Sequence, residues 1–281
     1  MFPFTFSCPD PAVADIVETI WDVDLPDANL TRSIAFKVLP AISPTLCVHY
    51  RAAPWSDQLI NPGHSLQRLT GVQTRAVAFR PTGPIGAVIV HLKPETACRL
   101  MGGRMNEFTD ANVALSDLFR TTQTALLAER LAEAPNAAKR VETIQAFLLQ
   151  NLRDDTPDTV AQQAVRWLRQ DPTLSVRRLA SSLDISERQL SRRFYAMVGS
   201  KLKKFARVAR LGKVVAARRQ GAGWADIAHG CGFNDQAHMI HDFKSMVCST
   251  PETFFDAAST ADYRDLNASL AMSGFYNTFF M

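Results

Sequence analysis

The sequence predicts an α+β fold in which a β-rich amino-terminal half precedes an all-α domain built from two consecutive helix-turn-helix units. Three observations predict it. First, one helical pattern is written twice: Leu179-Ala180 through Ile185, then Leu190-x-Arg192-x-Phe194, returns as Ile227-Ala228 through Phe233, then Met239-x-His241-x-Phe243. The offset is 48 positions and slips to 49 after the turn, the trace of a duplicated supersecondary unit. Second, strand signals gather in the first 105 residues. Third, charge segregates. Residues 1–156 hold 14 basic and 16 acidic side chains, a net of −2, whereas residues 157–260 hold 16 and 9, a net of +7.

The amino-terminal elements follow from turn chemistry. Thr45 to Tyr50, Val72 to Arg80 and Ile85 to Leu92 are β-branched or alternating stretches, separated by Pro54, Asn61-Pro62-Gly63, Gly71 and Pro81-Thr82-Gly83-Pro84. Short strands punctuated in this way predict a sandwich or small barrel. A helix over Pro11 to Trp21 is expected to precede it. From Asp110 the period turns helical. Leu118, Leu126-Leu127 and Leu131 line a helix reaching Ala134, and Val141, Ile144 and Leu148 mark a second helix from Ala137 to Asn151. Asp154-Asp155-Thr156-Pro157 then reads as a boundary. The division expected is 1–135, a helical linker 136–156, the duplicated domain 157–260 and a tail 261–281.

Within the duplicated domain, a first helix runs from Thr159 to Gln170 and ends at Asp171-Pro172. Ser175 caps the next helix, which carries Val176, Leu179, Ala180 and Leu183. Asp184-Ile185 turns the chain, and Ser186-x-x-Gln189 is a capping-box candidate for a helix with Leu190, Phe194 and Met197 inward. That stripe leaves Glu187, Arg188, Ser191 and Arg192 on the opposite face. A joining helix is expected from Leu202 to Gln220. The second unit starts near Gly223 with Trp224, Ile227 and Ala228 inward, turns at Gly232-Phe233 and restarts at Asn234-Asp235. Met239, Ile240 and Phe243 point inward, and Gln236, Ala237 and His241 outward.

The outward residues suit a polyanion carrying hydrogen-bonding edges. Arg188 and Arg192, four apart, share a face and can offer bidentate donors to guanine or phosphate. Ser191 can donate or accept, Glu187 can accept from cytosine N4, Gln236 can read adenine, and Ala237 can touch a thymine methyl group. Lys203, Lys204 and Lys244 are candidate phosphate contacts. Thirteen basic residues against two acids between Arg177 and Arg219 fit the footprint of such a module. The bland alternative for each is a solvated basic face.

The run from Leu179 through Phe255 resembles the tandem helix-turn-helix domain of the AraC/XylS family of bacterial transcription regulators. The resemblance rests on Leu179-Ala180, Ser186, Leu190-Ser191-Arg192, Phe194, Gly199, Phe205, Arg210-Leu211, Asp226-Ile227-Ala228, Gly232-Phe233, Phe243-Lys244 and Thr250-Pro251. It implies two recognition helices entering successive major grooves of double-stranded DNA, with base contacts at Arg188, Ser191, Arg192, Gln236, Ala237 and His241. It also implies that the amino-terminal region is a sensor or dimerisation domain responsive to a small-molecule effector, with RNA polymerase and a second copy of the chain as further partners. The chain departs from the family pattern at Lys201-Leu202, where a small polar residue and proline are usual. It departs again at Val214, in place of a small alanine, at Cys248, in place of glycine, and at His241, where arginine is frequent.

Other classes are expected to be absent. No apolar run spans a bilayer, and MFPFTFSCPD lacks a basic segment followed by an apolar one, so a cytoplasmic protein without a signal peptide is expected. Five scattered cysteines, at 8, 47, 98, 231 and 248, argue against a disulfide framework. No cofactor, catalytic residue or metal site is expected. The motif puts Cys231 in a turn and His241 on the outward face, which argues against a metal site with His238, and His49, His64 and His91 match no metal spacing. Two alternatives stay open: a DNA-repair alkyltransferase-like enzyme using Cys8, Cys47 or Cys98, and a regulator that senses redox state through a cysteine.

Overall fold

A computed structural model of the chain describes residues 4–28, 31, 35–58, 66–102, 105–259 and 278–280. Its amino-terminal part is β-rich. Strands β1 (Phe4–Ser7), β2 (Val17–Leu25), β4 (Thr45–His49), β5 (Gln67–Thr70), β7 (Ile85–Leu92) and β8 (Asn112–Ala114) form an antiparallel sheet in the order β1-β2-β7-β4-β5-β8. Strands β3 (Phe36–Val38), β6 (Val77–Phe79) and β9 (Thr278–Phe280) form a second sheet in the order β6-β3-β9.

The pleat divides the large sheet into two faces. Leu46, Val48, Leu69, Val88, Val90 and Leu92 point away from the small sheet into a core shared with α1 (Cys98–Met101), α2 (Thr121–Glu133) and α3 (Ala137–Asn151). Arg140 of α3 reaches that face and clamps Asp22 of β2, with Nε to Oδ1 at 2.7 Å and Nη2 to Oδ2 at 2.8 Å. Both residues are buried. The alternate residues of the same strands look toward the small sheet.

Three expectations need correction. The helix expected over Pro11 to Trp21 is a turn at 11–16 followed by β2. β2 pairs with β1 on one side and β7 on the other and is covered on both faces, so its apolar residues do not alternate. The strand expected over Val72 to Arg80 shrinks to β6, with single bridges at Gln73 and Arg80. Leu118 lies outside α2, and Leu126 is 43% exposed while Leu127 and Leu131 are buried. Asn61-Pro62-Gly63, His64, Phe275 and Tyr276 lie outside the described residues.

The helical part follows the expected order: α4 (Thr159–Gln170), α5 (Val176–Ser182), α6 (Glu187–Val198), α7 (Leu202–Arg219), α8 (Trp224–Gly230), α9 (Gln236–Val247) and α10 (Pro251–Ala258). One core joins Ala164, Leu168, Leu179, Leu190, Phe194 and Phe205. Another joins Leu211, Val214, Ile227, Phe233, Met239, Phe243 and Phe254. Helix α7 feeds both, its first two turns the one and its later turns the other. Val214, 1% exposed, is accommodated in the second core.

Candidate nucleic-acid interface and buried cavity

Helix α6 begins where its sequence says. Ser186 Oγ accepts from the Gln189 N–H at 3.2 Å, and Gln189 Oε1 accepts from the Ser186 N–H at 3.0 Å. This reciprocal pair satisfies two otherwise orphaned donors and fixes the phase of the helix. Leu190, Phe194 and Met197 are thereby buried, and Glu187, Arg188, Ser191 and Arg192 are exposed. Their neighbour Arg193 is held otherwise, donating Nε to Asp158 Oδ2 at 2.6 Å. The helix stops at Gly199, with φ 80°. A Cβ there would sit 2.0 Å from the Met105 carbonyl oxygen, so the glycine permits both the left-handed turn and close contact with residues 105–108.

The second unit repeats the plan. Asp235 accepts from the His238 N–H at 2.7 Å to cap α9, burying Met239 and Phe243 and leaving Gln236, Ala237, His241 and Lys244 exposed. Arg207 of α7 donates Nε to Asp242 Oδ1 at 2.8 Å, so the joining helix holds α9 by a charged hydrogen bond. Lys203 is exposed on α7. Lys204 pairs with Asp110 of the amino-terminal part at 3.3 Å. Among the described residues no cluster of three His, Cys, Asp or Glu side chains is arranged to hold a metal.

A cavity of about 140 Å³ lies between the two sheets. Its wall is largely apolar, including Phe4, Val23, Leu25, Phe36, Ile85 and Ile89, and its polar side presents His49, Arg68, Thr70, Gln73, His91 and Asn112. Burial, with Arg68 nearby, pushes His49 down to about 3. Burial lowers His91 to about 4. Both imidazoles are therefore neutral near pH 7. Neither was distinguished by sequence from an ordinary histidine, and Arg68 was not singled out at all; the alternation of β4, β5 and β7 toward one face was the available signal. All five cysteines are free thiols. Burial raises the Cys47 and Cys98 thiols above their ordinary value, which disfavours the nucleophilic thiolate.

Strand β9 connects this cavity with the second helical unit. Thr278 lines the cavity, while the adjacent Phe279 is 3% exposed and packs on Phe254, with ring centroids 4.8 Å apart. Arg219 of α7 stacks over Phe279 at 4.2 Å. Leu39, just after β3, enters the same core, and the Ala76 N–H donates to the Met246 carbonyl at 2.9 Å. The aromatic tail thus packs on its own chain where it is described.

Comparison with known proteins places these units. A helix-turn-helix domain model matches residues 179–257, and a domain of unknown function, DUF6597, matches residues 6–114. No curated protein matches the chain. Among solved structures, the chain is similar to ToxT from Vibrio cholerae at 12% identity, covering 90% of this chain and 96% of that chain, with a TM-score of 0.48. Unsaturated fatty acid-bound ToxT is similar at 11% identity, with 85% and 93% covered and a TM-score of 0.46. The AraC-like transcriptional activator CuxR is similar at 15% identity, with 80% and 90% covered and a TM-score of 0.25. Two capped helix-turn-helix units joined by α7, coinciding with the matched helix-turn-helix domain and following a β-rich region, make this chain a DNA-binding transcriptional regulator.

Proposed function

We propose that the regulator reads its operator through α6 and α9, and that the cavity between the sheets receives a small-molecule effector. The observation that carries the first part is the exposed row Glu187, Arg188, Ser191 and Arg192 at the start of a helix whose phase is fixed by the Ser186–Gln189 capping box. Residues at that end of a recognition helix reach base edges. Gln236, Ala237 and His241 take the corresponding place on α9, with Lys203 and Lys244 on phosphate. Lys204 joins them at the cost of its pairing with Asp110.

The second part is supported by a largely apolar hollow with a few convergent polar groups, the usual make-up of a ligand site. Strand β9 and Leu39 give that hollow a route to the second unit, because both touch the cavity's small sheet and the core beneath α9. The proposed division is a sensor domain over 1–135, a helical linker over 136–156, the DNA-binding domain over 157–260 and the tail over 261–281. RNA polymerase is the partner that transcriptional control requires. Leu126 and Leu149, each 43% exposed on the packed helices α2 and α3, are the surface that a second copy would cover. Among the described residues no helix is long and apolar enough to cross a membrane, and a cytoplasmic, non-enzymatic role accords with the proposal.

Selection of random duplexes by the full chain, followed by footprinting, tests the DNA reading. The expected product is a motif of two elements about 10 base pairs apart, one helical turn. Equal retention of every duplex would defeat it.

A further inference from the structure

The cavity holds a charge that the described residues leave uncompensated. Arg68 of β5 is 6% exposed and lines the hollow. Its Nη2 donates to His49 Nε2 at 3.2 Å, and its guanidinium carbon stands 5.6 Å from the centre of the Phe79 ring. Among the described residues no carboxylate lies within ion-pair distance of it. Arg140 shows what the same fold does with a structural arginine. That residue is 8% exposed and clamped by the buried Asp22 through two hydrogen bonds. Withdrawing a guanidinium from water without an anion is costly, so Arg68 marks a place where an anion is expected from outside the chain.

His49 adds a second pointer. Since its Nε2 accepts from Arg68, its proton resides on Nδ1, and that nitrogen is buried without a hydrogen-bond partner. A buried donor of this kind calls for an acceptor. The rest of the wall fixes the remainder of the ligand. Phe36, Ile85 and Ile89 offer hydrocarbon, and Thr70, Gln73 and Asn112 are neutral. One cation on a wall otherwise apolar or uncharged suits one negative charge on an apolar body, and suits a nucleotide or sugar phosphate poorly. A hollow of about 140 Å³ is close to the roughly 150 Å³ that encloses a benzene ring.

We infer that the effector is a small apolar carboxylic acid whose carboxylate is held by the Arg68 guanidinium, with its hydrocarbon body against Phe36 and Ile89. The inference rests on the reading of this cavity as the effector site. Calorimetric titration of the full chain at pH 7 with cyclohexanecarboxylate, hexanoate and phenylacetate, each against its uncharged alcohol, tests it. At least one acid is expected to bind about tenfold or more tighter than its alcohol, the ordinary gain of a charge-assisted hydrogen bond. Arg68→Gln removes that preference and Arg68→Lys restores part of it. Where Arg68→Gln does not fold, Ile89→Trp, which fills the hollow and keeps the cation, must abolish acid binding.

Equal binding of acid and alcohol would overturn the carboxylate and leave the cavity as the effector site. Binding of neither, in protein that still retains its operator, would overturn both. A preference for acid over alcohol that survives Arg68→Gln, or acid binding that survives Ile89→Trp, would place the anion elsewhere and defeat the inference.

Discussion

Arg207 and Asp242, on the joining helix and the second recognition helix, meet at 2.8 Å through Nε and Oδ1, and Arg207 Nη2 also reaches Ser245 Oγ at 2.8 Å. Asp242 is 8% exposed. A carboxylate in that position is stabilised by the guanidinium that orients it, and the pair sets how α9 lies against α7. Asp242→Ala is expected to destabilise the protein by about 1–3 kcal/mol, measured by urea denaturation, and to weaken operator binding even after the folded fraction is equalised. Unchanged stability would mean that apolar packing alone seats α9.

Cys248 occupies the left-handed turn, φ 64°, that ends α9, and it is exposed. Gly199 ends α6 in the same conformation at no steric cost. A β-carbon in this region costs about 1–2 kcal/mol, so Cys248→Gly should stabilise the chain by about 1 kcal/mol, read as a rise in Tm. A lower Tm would show that the side chain contributes more than its backbone strain removes.

On the proposed reading, Arg192 and Lys203 separate base reading from charge. Arg192→Ala is expected to lower affinity for the operator by about 1–3 kcal/mol while leaving scrambled DNA little changed. Lys203→Ala should weaken both alike and reduce the slope of log K against log salt by about 0.9. Equal losses on both duplexes for Arg192→Ala would remove it from the base-reading set.

Acid sensitivity follows from the cavity histidines. The unfolded chain takes up a proton at each imidazole near pH 6.5, whereas the folded chain does so only near 3 at His49 and 4 at His91. The unfolded state therefore binds more protons in between. Stability should be fully present above pH 6.5 and be lost as pH falls toward 4, by up to about 1.4 kcal/mol per pH unit for each histidine. Denaturation curves at pH 7, 6, 5 and 4 check this, and a shallower loss in His91→Gln assigns its share.

The helical half was legible because its determinants are local. Ser186 with Gln189, Gly199 and the Leu190, Phe194, Met197 stripe define α6 within fourteen residues, and the Leu202 to Gln220 estimate for α7 ends one residue past the helix. The β-rich half was less legible because its determinants are distant. Val17 to Leu25 is buried on both faces, Val17 and Ile20 in the core shared with α3 and Trp21, Val23 and Leu25 against Ile85 and Phe36, which erases the alternation a strand would show. β9 depends on pairing with β3, far back in the chain, and nothing near Thr278 announces it. The exposed residues proposed to face DNA could be named from the helical period of α6 and α9. Arg68 could not, since its meaning lies in the carboxylate that the facing strands fail to supply.

Strand β9 also orders events during synthesis. The small sheet begins with residues 36–38 and 77–79 but gains its third strand only from residues 278–280, after both helical units have left the ribosome. A nascent chain therefore carries a hollow missing one wall until residues 278–280 emerge. If the hollow receives the proposed effector, newly made protein is blind to that signal until both helix-turn-helix units have been built.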